Sequence, residues 1–405
     1  MHPASPSRRR FLTAGSAGLV ALTVPSHVFG SAPPVLVGLD AEFFDRTSTS
    51  DEAVQLGAQT AIDDINAMGG VLGGRPLQLI TTDNRSLPAR GVANVEQLGN
   101  LPDMTAYLGG KFSPVVLEQL AHIHAVRLPL LAPWSAADAI VDNQYRPNYA
   151  FRVGLRDSIA MEALLEAIAA RGLQRMGLIA PSSAWGRSCQ FFIERHLIHR
   201  TDRSLELAGV EWHRWGSDRL IDEGYRALVQ KGAEAIVLVA NEPEGATLVK
   251  AVAQLSDANR RPIFSHWGIT GGRFTELCGP ALQEVDLEVA QSFSFARVKS
   301  PEGVRLAQRA TEHFGVDDPL KVPSATGIGP AYDLVRLLGL AIEQARSTTR
   351  AAIHEALEHL PPYSGVVGHF APAFTPLRHE ALRARDVLIC RFDADGRLVP
   401  RNIGG

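Results

Sequence analysis

Residues 52–82 read EAVQLGAQTAIDDINAMGGVLGGRPLQLITT, and the way this stretch divides decides the fold. Val54, Ala58, Ala61, Ile62 and Ile65 recur at three- and four-residue steps, the spacing of one buried helical face, which predicts a helix over Glu52–Met68. Asp51 stands where it can cap the start, and Asp51 and Glu52 suit the positive end of the helix dipole. Gly69-Gly70 ends the helix, because glycine accepts the left-handed conformation of a C-terminal cap. Gly73-Gly74 then turns the chain into an apolar, β-branched run, Leu77–Thr82, that reads as a strand. A helix followed by a buried strand is one step of an α/β repeat.

The same step recurs outward in both directions. Further strands are expected at Val35–Leu39, Ala106–Leu108, Leu128–Ala132, Met176–Ala180, Val210–Trp212, Ala235–Val239, Ile263–Ser265 and Val289–Phe293. Between them lie helical patterns at Arg90–Leu98, Val115–Val126, Ile159–Arg171 and Gly186–His199, then at Asp222–Gln230, Pro243–Leu255, Pro301–Phe314 and Pro330–Gln344. Strand-then-helix units of this length imply doubly wound parallel sheets with helices on both faces. Such sheets bind ligands at the carboxyl ends of their strands, so the loops that follow each strand are where function belongs. From Tyr363 the pattern changes to short strands, Val366–Phe370 and Val387–Phe392, around an irregular, Pro-containing stretch.

With 405 residues the chain exceeds what one core usually holds, and two domains are expected. A composition 45% hydrophobic and 20% charged excludes a disordered or fibrous chain. The near balance of 40 Lys+Arg against 43 Asp+Glu leaves no basic field for nucleic acid. Residues 1–32 stand apart: Arg8-Arg9-Arg10-Phe11-Leu12, a mild apolar run from Leu19 to Val24, and no acid before Asp40. This is the pattern of a cleaved export signal of the twin-arginine type, too short in its apolar part to span a bilayer, and it predicts a soluble periplasmic protein. The three cysteines, Cys189, Cys278 and Cys390, are too far apart for a metal knuckle and read as small core hydrophobes.

Enzyme signatures fail one by one. Gly109-Gly110-Lys111-Phe112 lacks the first glycine and the final hydroxyl of a phosphate-binding loop. Gly327-Ile328-Gly329 places Tyr332 where a dinucleotide motif needs its third glycine. His354-Glu355 begins a zinc-protease motif, but the second histidine arrives one place late, at His359. No nucleophile elbow occurs, and neither catalysis, a metal nor a cofactor is expected.

A resemblance adds to this reading. Gly57–Asn84, LGGKFSP at Leu108–Pro114, APWSAAD at Ala132–Asp138, FRVGLRD at Phe151–Asp157, SSAWGRS at Ser182–Ser188 and SHWGITGG at Ser265–Gly272 follow one another in an order and spacing similar to the leucine/isoleucine/valine-binding proteins of ABC importers. The match runs from about residue 34 to 400. It implies a type I periplasmic binding protein: two Rossmann-like lobes joined by three hinge crossovers, near Phe151–Gly154, Gln283–Glu288 and Gly365–Phe370. Lobe one is then 33–152 plus 287–364, and lobe two 153–286 plus 365–405. Ligand binds between the lobes of a monomer, which closes and presents itself to a permease with ATPase subunits. A sensor feeding a membrane receptor or histidine kinase is the alternative.

Several residues fit such a cleft. Ser113 follows a strand and opens a helix, where its hydroxyl and the backbone amides suit a carboxylate; it also suits a simple helix cap. Ser135 and the amides of Ala136 and Ala137 offer the same chemistry after the next strand, and the resemblance assigns the ligand carboxylate to Ser113 and the Ala136 segment. Trp134 and Trp185 fall in strand-end loops of opposite lobes, either sandwiching an apolar ligand or packing at the rim. The resemblance places Thr270 where relatives carry a glutamate for the ligand ammonium, and Asn241 and Glu242 near a position that is often tyrosine. Either Glu242 or Asp157 then supplies the counter-charge, or the ligand has no ammonium; Asp157 also suits a hinge cap.

Overall fold

In the computed structural model, which describes residues 33–44, 48–200 and 205–401, two parallel sheets organise the chain. The expected export signal lies outside the described residues. The first sheet holds β1 (Val35–Ala41), β2 (Leu77–Asp83), β3 (Met104–Gly109), β4 (Leu130–Ala132) and β5 (Ala150–Arg152) in the order β2-β1-β3-β4-β5. The second holds β6 (Arg175–Pro181), β7 (Glu206–His213), β8 (Ala235–Leu238), β9 (Ile263–Ser265) and β10 (Leu287–Gln291), ordered β7-β6-β8-β9-β10. Every pair within these two sets is parallel, so the same doubly wound order is built twice. A two-stranded hairpin, β11 (Tyr363–Ser364) and β12 (His369–Phe370), stands apart, while β13 (Leu388–Phe392) and β14 (Leu398–Pro400) extend the second sheet, β13 antiparallel to β10 and β14 antiparallel to β13.

Helices α1 (Ser50–Ala67), α2 (Pro88–Gly99) and α3 (Ser113–Ala125) connect the first sheet. Helices α4 (Asp157–Ala170), α5 (Ala184–His199), α6 (Asp218–Gln230), α7 (Glu242–Ala253) and the short α8 (Phe274–Cys278) serve the second. The chain then returns: α9 (Pro301–Phe314) and α10 (Ala325–Ala345) pack on α1, and α11 (Arg350–Glu358) packs on α10. The α1 face predicted from its spacing is buried, with Val54, Ala58 and Ala61 fully enclosed. Gly69, Gly70, Gly73 and Gly74 all adopt positive φ, as the stop and turn require. The three cysteines are buried and unpaired. Gly327-Ile328-Gly329 serves helix packing: Gly57 of α1 lies so close to Ile328 that a Cβ there would sit 2.2 Å from its carbonyl oxygen. Among the described residues no helix is long and apolar enough to cross a membrane.

The crossovers between the sheets depart from expectation in two places. Leu287–Gln291 pairs with β9 on one side and β13 on the other, so it belongs to the second sheet, and the chain leaves that sheet after Gln291 rather than at 283–288. Residues 363–370 form the β11–β12 hairpin instead of one strand, and they are held on α10 of the first sheet's flank. There the buried Asp333 carboxylate accepts from the Val366 and Val367 amides at 2.9 Å and from the Tyr363 hydroxyl at 3.0 Å. The return to the second sheet follows the hairpin. Where it passes β5, Arg152 bridges to Glu380: the guanidinium is wholly buried, its Nη2 is 2.6 Å from Glu380 Oε1, and its Nη1 donates to the carbonyls of Ser135 and Ala137.

Candidate functional site

In a doubly wound sheet the first strand and the third diverge at their carboxyl ends, because their connections run to opposite faces, and a crevice opens between them. Here that happens at β1/β3 in one sheet and β6/β8 in the other, and the two crevices share one narrow cleft of about 40 Å³. From the first sheet the lining is Ser50 after β1, Lys111, Phe112, Ser113 and Pro114 after β3, and Trp134 and Ala136 after β4. From the second it is Trp185 after β6, Asn241 and Glu242 after β8, and His266, Trp267 and Gly268 after β9. A larger cavity lies elsewhere, but this cleft lies at strand ends of both sheets.

Six of the nine residues singled out from the sequence line the cleft: Ser113, Trp134, Ala136, Trp185, Asn241 and Glu242. Ser113 Oγ accepts hydrogen bonds from the amides of Ala136 and Ala137, at 3.1 and 3.2 Å. The serine and these two amides, expected to face a ligand together, therefore bind one another and lock the β3 and β4 loops. The indoles face small residues. A Cβ on Gly268 would come within 2.8 Å of Trp185, and one on Gly327 within 2.9 Å of Trp134, so each ring lies where only glycine leaves room.

The other three lie off the cleft surface. Ser135 is wholly buried, and its carbonyl accepts from Arg152. Thr270 turns away, donating to the Trp267 carbonyl at 2.7 Å and accepting from Gln291 at 3.2 Å, and it lines the larger cavity instead. Asp157, at the first turn of α4, is fully enclosed beneath the lining. Its Oδ1 accepts from the Trp185 indole N–H at 3.1 Å and lies 3.3 Å from His266 Nε2. The Gly268 amide donates to His266 Nδ1 at 3.2 Å, which puts the ring proton on Nε2, toward Asp157. Burial holds the His266 pKa below its ordinary value against the opposing pull of Asp157. Asp157 thus holds the Trp185 indole from behind, with the His266 ring beside it.

Sequence reasoning missed Lys111, His266 and Trp267. Lys111 was seen only as part of a failed phosphate loop, yet its ammonium lies 3.0 Å from Glu42 and its backbone amide donates to Asp51 at 2.6 Å. Burial works against its charge, but Asp51, Glu42 and Glu242 outweigh this and hold its pKa above the ordinary lysine value. Asp51 binds the Lys111 and Glu42 amides rather than capping α1, and burial pushes its pKa up to about 6. His266 and Trp267 stack at 3.6 Å between ring centroids, and the Trp185 edge meets His266 at 4.9 Å. The signal for both was the short β9 directly before them.

Among the described residues one set of metal-type side chains converges, His354, Glu358 and His379, within 4.8 Å of one another. Its histidines already donate to the carbonyls of Asn148 and Ala150, at 2.9 and 3.0 Å, and it lies off the cleft lining.

Comparison with known proteins agrees with this geometry. A family model described as periplasmic binding protein matches residues 46–397. No curated protein matches significantly. Among solved structures, a type 1 periplasmic binding protein from Bordetella pertussis Tohama I superposes with TM-score 0.78 at 19% identity, covering 91% of this chain and 100% of that one. A branched-chain amino acid transporter substrate-binding protein from Streptococcus pneumoniae, in complex with isoleucine, gives 0.74 at 18% identity over 90% and 97%. A solute-binding protein of an ABC transporter from R. palustris, in complex with benzoate, gives 0.73 at 14% over 91% and 95%.

Proposed function

The chain belongs to the periplasmic binding protein family, and from that premise we propose that it is the solute-binding component of an ABC importer in the periplasm. It acts by capture and delivery, not by catalysis. Its ligand is a branched-chain amino acid or a related small carboxylate or amide, held between the two lobes and handed to a membrane permease on closure. The two solved relatives named with isoleucine and with benzoate bracket the choice: one ligand carries an ammonium and the other does not.

The observation that carries the reading is that one small cleft presents both signs of charge beside apolar rings. Lys111 and Glu242 line it from opposite sheets, with Trp134 and Trp185 between. A zwitterion with an apolar side chain matches all of these groups, whereas a simple carboxylate matches only the lysine and the rings. A carboxylate has about four acceptor sites, so Glu242 can receive a ligand ammonium alongside a partner from within the chain. With Asp157 enclosed beneath the rings, Glu242 is the counter-charge of choice.

A thermal-shift screen tests this directly. The purified protein is heated with leucine, isoleucine, valine and aromatic amino acids, and with the matching carboxylates and amides that lack the amine. A ligand at a hundred times its dissociation constant adds about 2.7 kcal/mol, several degrees in Tm. Stabilisation by amino acids, reduced at least tenfold in affinity by Glu242→Gln, is the expected result. Stabilisation confined to compounds without an amine would remove Glu242 from ligand binding and leave Lys111 as the polar anchor.

A further inference from the structure

A second cavity is roomier than the cleft. It has a volume of about 240 Å³ and lies behind the strip 268–272, whose Gly268 lines the cleft while Thr270 and Gly272 line the cavity. Five phenylalanines wall it: Phe274, Phe293, Phe295, Phe314 and Phe392. Their rings are already paired, Phe274 with Phe392 at 5.5 Å and Phe293 with Phe295 at 4.9 Å, so the wall is formed and stiff. Leu320 and Val322 close another side.

Thr270, Gln291, Ser294 and Ser324 of the wall are hydrogen-bonded inside the chain. The Gln291 amide donates to Thr270 and accepts from Thr326, at 3.2 and 2.5 Å, and Ser324 Oγ lies 2.7 Å from Thr49 Oγ1. Each charged residue of the lining has its own counter-ion: Arg273 with Glu276 at 3.3 Å, Lys321 with Asp317 at 3.1 Å, and Asp395 with Arg397 at 2.8 Å. A charged or strongly polar occupant would lose its hydration and find no partner. An uncharged aromatic one would replace contacts that the facing rings lack. For scale, an engineered apolar cavity of about 150 Å³ takes up benzene.

We propose that this cavity is a second ligand site, for an uncharged one- or two-ring aromatic molecule. Its walls come from both halves of the fold. Phe274, Phe293 and Phe392 belong to the second sheet and its connections, whereas Phe314, Leu320 and Val322 belong to the α9–α10 segment that packs on α1. The partition is also where the halves meet, since the Thr49 amide and the Ser50 hydroxyl donate to the Gly271 carbonyl, at 2.7 and 2.9 Å. An occupant therefore touches both halves next to the contact that joins them.

Indole is the solution probe, titrated into the purified protein by calorimetry. Saturable one-to-one binding is expected, weakened at least tenfold by Val322→Trp, which fills the cavity. That variant should keep its thermal shift with whichever compound stabilises the wild type through the cleft. Leu320→Phe serves the same purpose should Val322→Trp fail to fold. Crystals soaked in bromobenzene locate the site without a variant, and the bromine anomalous peak is expected among Phe274, Phe293 and Phe392. A peak in the cleft, no saturable indole binding, or wild-type indole affinity in a folded cavity-filling variant each overturns the proposal.

Discussion

Arg152, wholly buried, and Lys111, partly buried, are both cations beside the carboxyl ends of strands in the first sheet, and they do opposite things. Arg152 is saturated: a bidentate carboxylate from Glu380 and two backbone carbonyls take its guanidinium, and no part of it reaches solvent. Lys111 has one close carboxylate, Glu42, and shares the field of Asp51 and Glu242 while its side chain borders an open volume. A buried charge whose every donor is matched within the chain holds structure together. One whose partners surround a space is placed to hold something else. The crossover region and the cleft differ in this way throughout, and the difference can be tested at single residues.

The largest effect is expected at the crossover. Arg152→Met leaves Glu380 buried without its partner and should lower stability by about 3–5 kcal/mol. Urea unfolding followed by circular dichroism measures it. Adding Glu380→Met should recover most of the loss, because two apolar side chains no longer strand a charge. An unchanged midpoint for Arg152→Met would erase the distinction between the two cations.

Asp333 sharpens the same point through pH. Burial raises its pKa to about 6 in spite of its three donors, so folding favours the protonated form. Its contribution is therefore fully present below the unfolded carboxylate value and is lost as pH rises through about 6. The two-unit shift is worth about 3 kcal/mol. The stability of wild type relative to Asp333→Asn should accordingly fall by about that amount between pH 4 and pH 7. A difference that stays flat across this window would show the carboxylate to be as well solvated by its three donors as by water.

How much of this was legible beforehand differs between fold and site for a physical reason. The repeat of strand and helix shows in apolar spacing, and the interior strands of both sheets emerged from it. β5 and α11 did not: the three residues of β5 end in a charged arginine, which breaks the apolar run that marked β4 and β9, and a nine-residue helix gives too short a period to read. The loops after the strands were the right place to look, and Trp134 and Trp185 were found there. What spacing cannot give is the direction of a side chain within its loop. Asp157 lies beneath the cleft wall because the Trp185 indole and the His266 ring, which form that wall, come from other parts of the chain and cover it. Thr270 turns away because the Trp267 carbonyl takes its hydroxyl. Lys111 stayed hidden because the acids that define its role, Glu42, Asp51 and Glu242, are distant in sequence.

Ser113 lies between the two regions in character, and its variant should have an intermediate effect. Ser113→Ala removes the acceptor of two buried amides, those of Ala136 and Ala137, and should cost about 1–3 kcal/mol of stability. If the hydroxyl also donates to a ligand carboxylate, affinity in the thermal-shift assay drops by a comparable energy once corrected for the lower baseline. A stability loss with full affinity would assign Ser113 to the scaffold alone, beside Arg152.

The smallest effect separates the groups that touch a ligand from those that aim them. Trp185→Phe keeps an apolar ring in the cleft but removes the indole N–H that Asp157 holds at 3.1 Å. Losing that one hydrogen bond should lower stability by about 0.5–1.5 kcal/mol. The ring that remains can still meet the ligand, so affinity for the best compound of the screen should fall by no more than about tenfold. Asp157→Asn keeps an acceptor for the indole and should act more weakly still on affinity, since its carboxylate lies beneath the lining. If Asp157→Asn instead abolished binding while Glu242→Gln did not, the enclosed carboxylate would be the ligand's counter-charge, and the division between a saturated scaffold and a receptive cleft would have to be redrawn through α4.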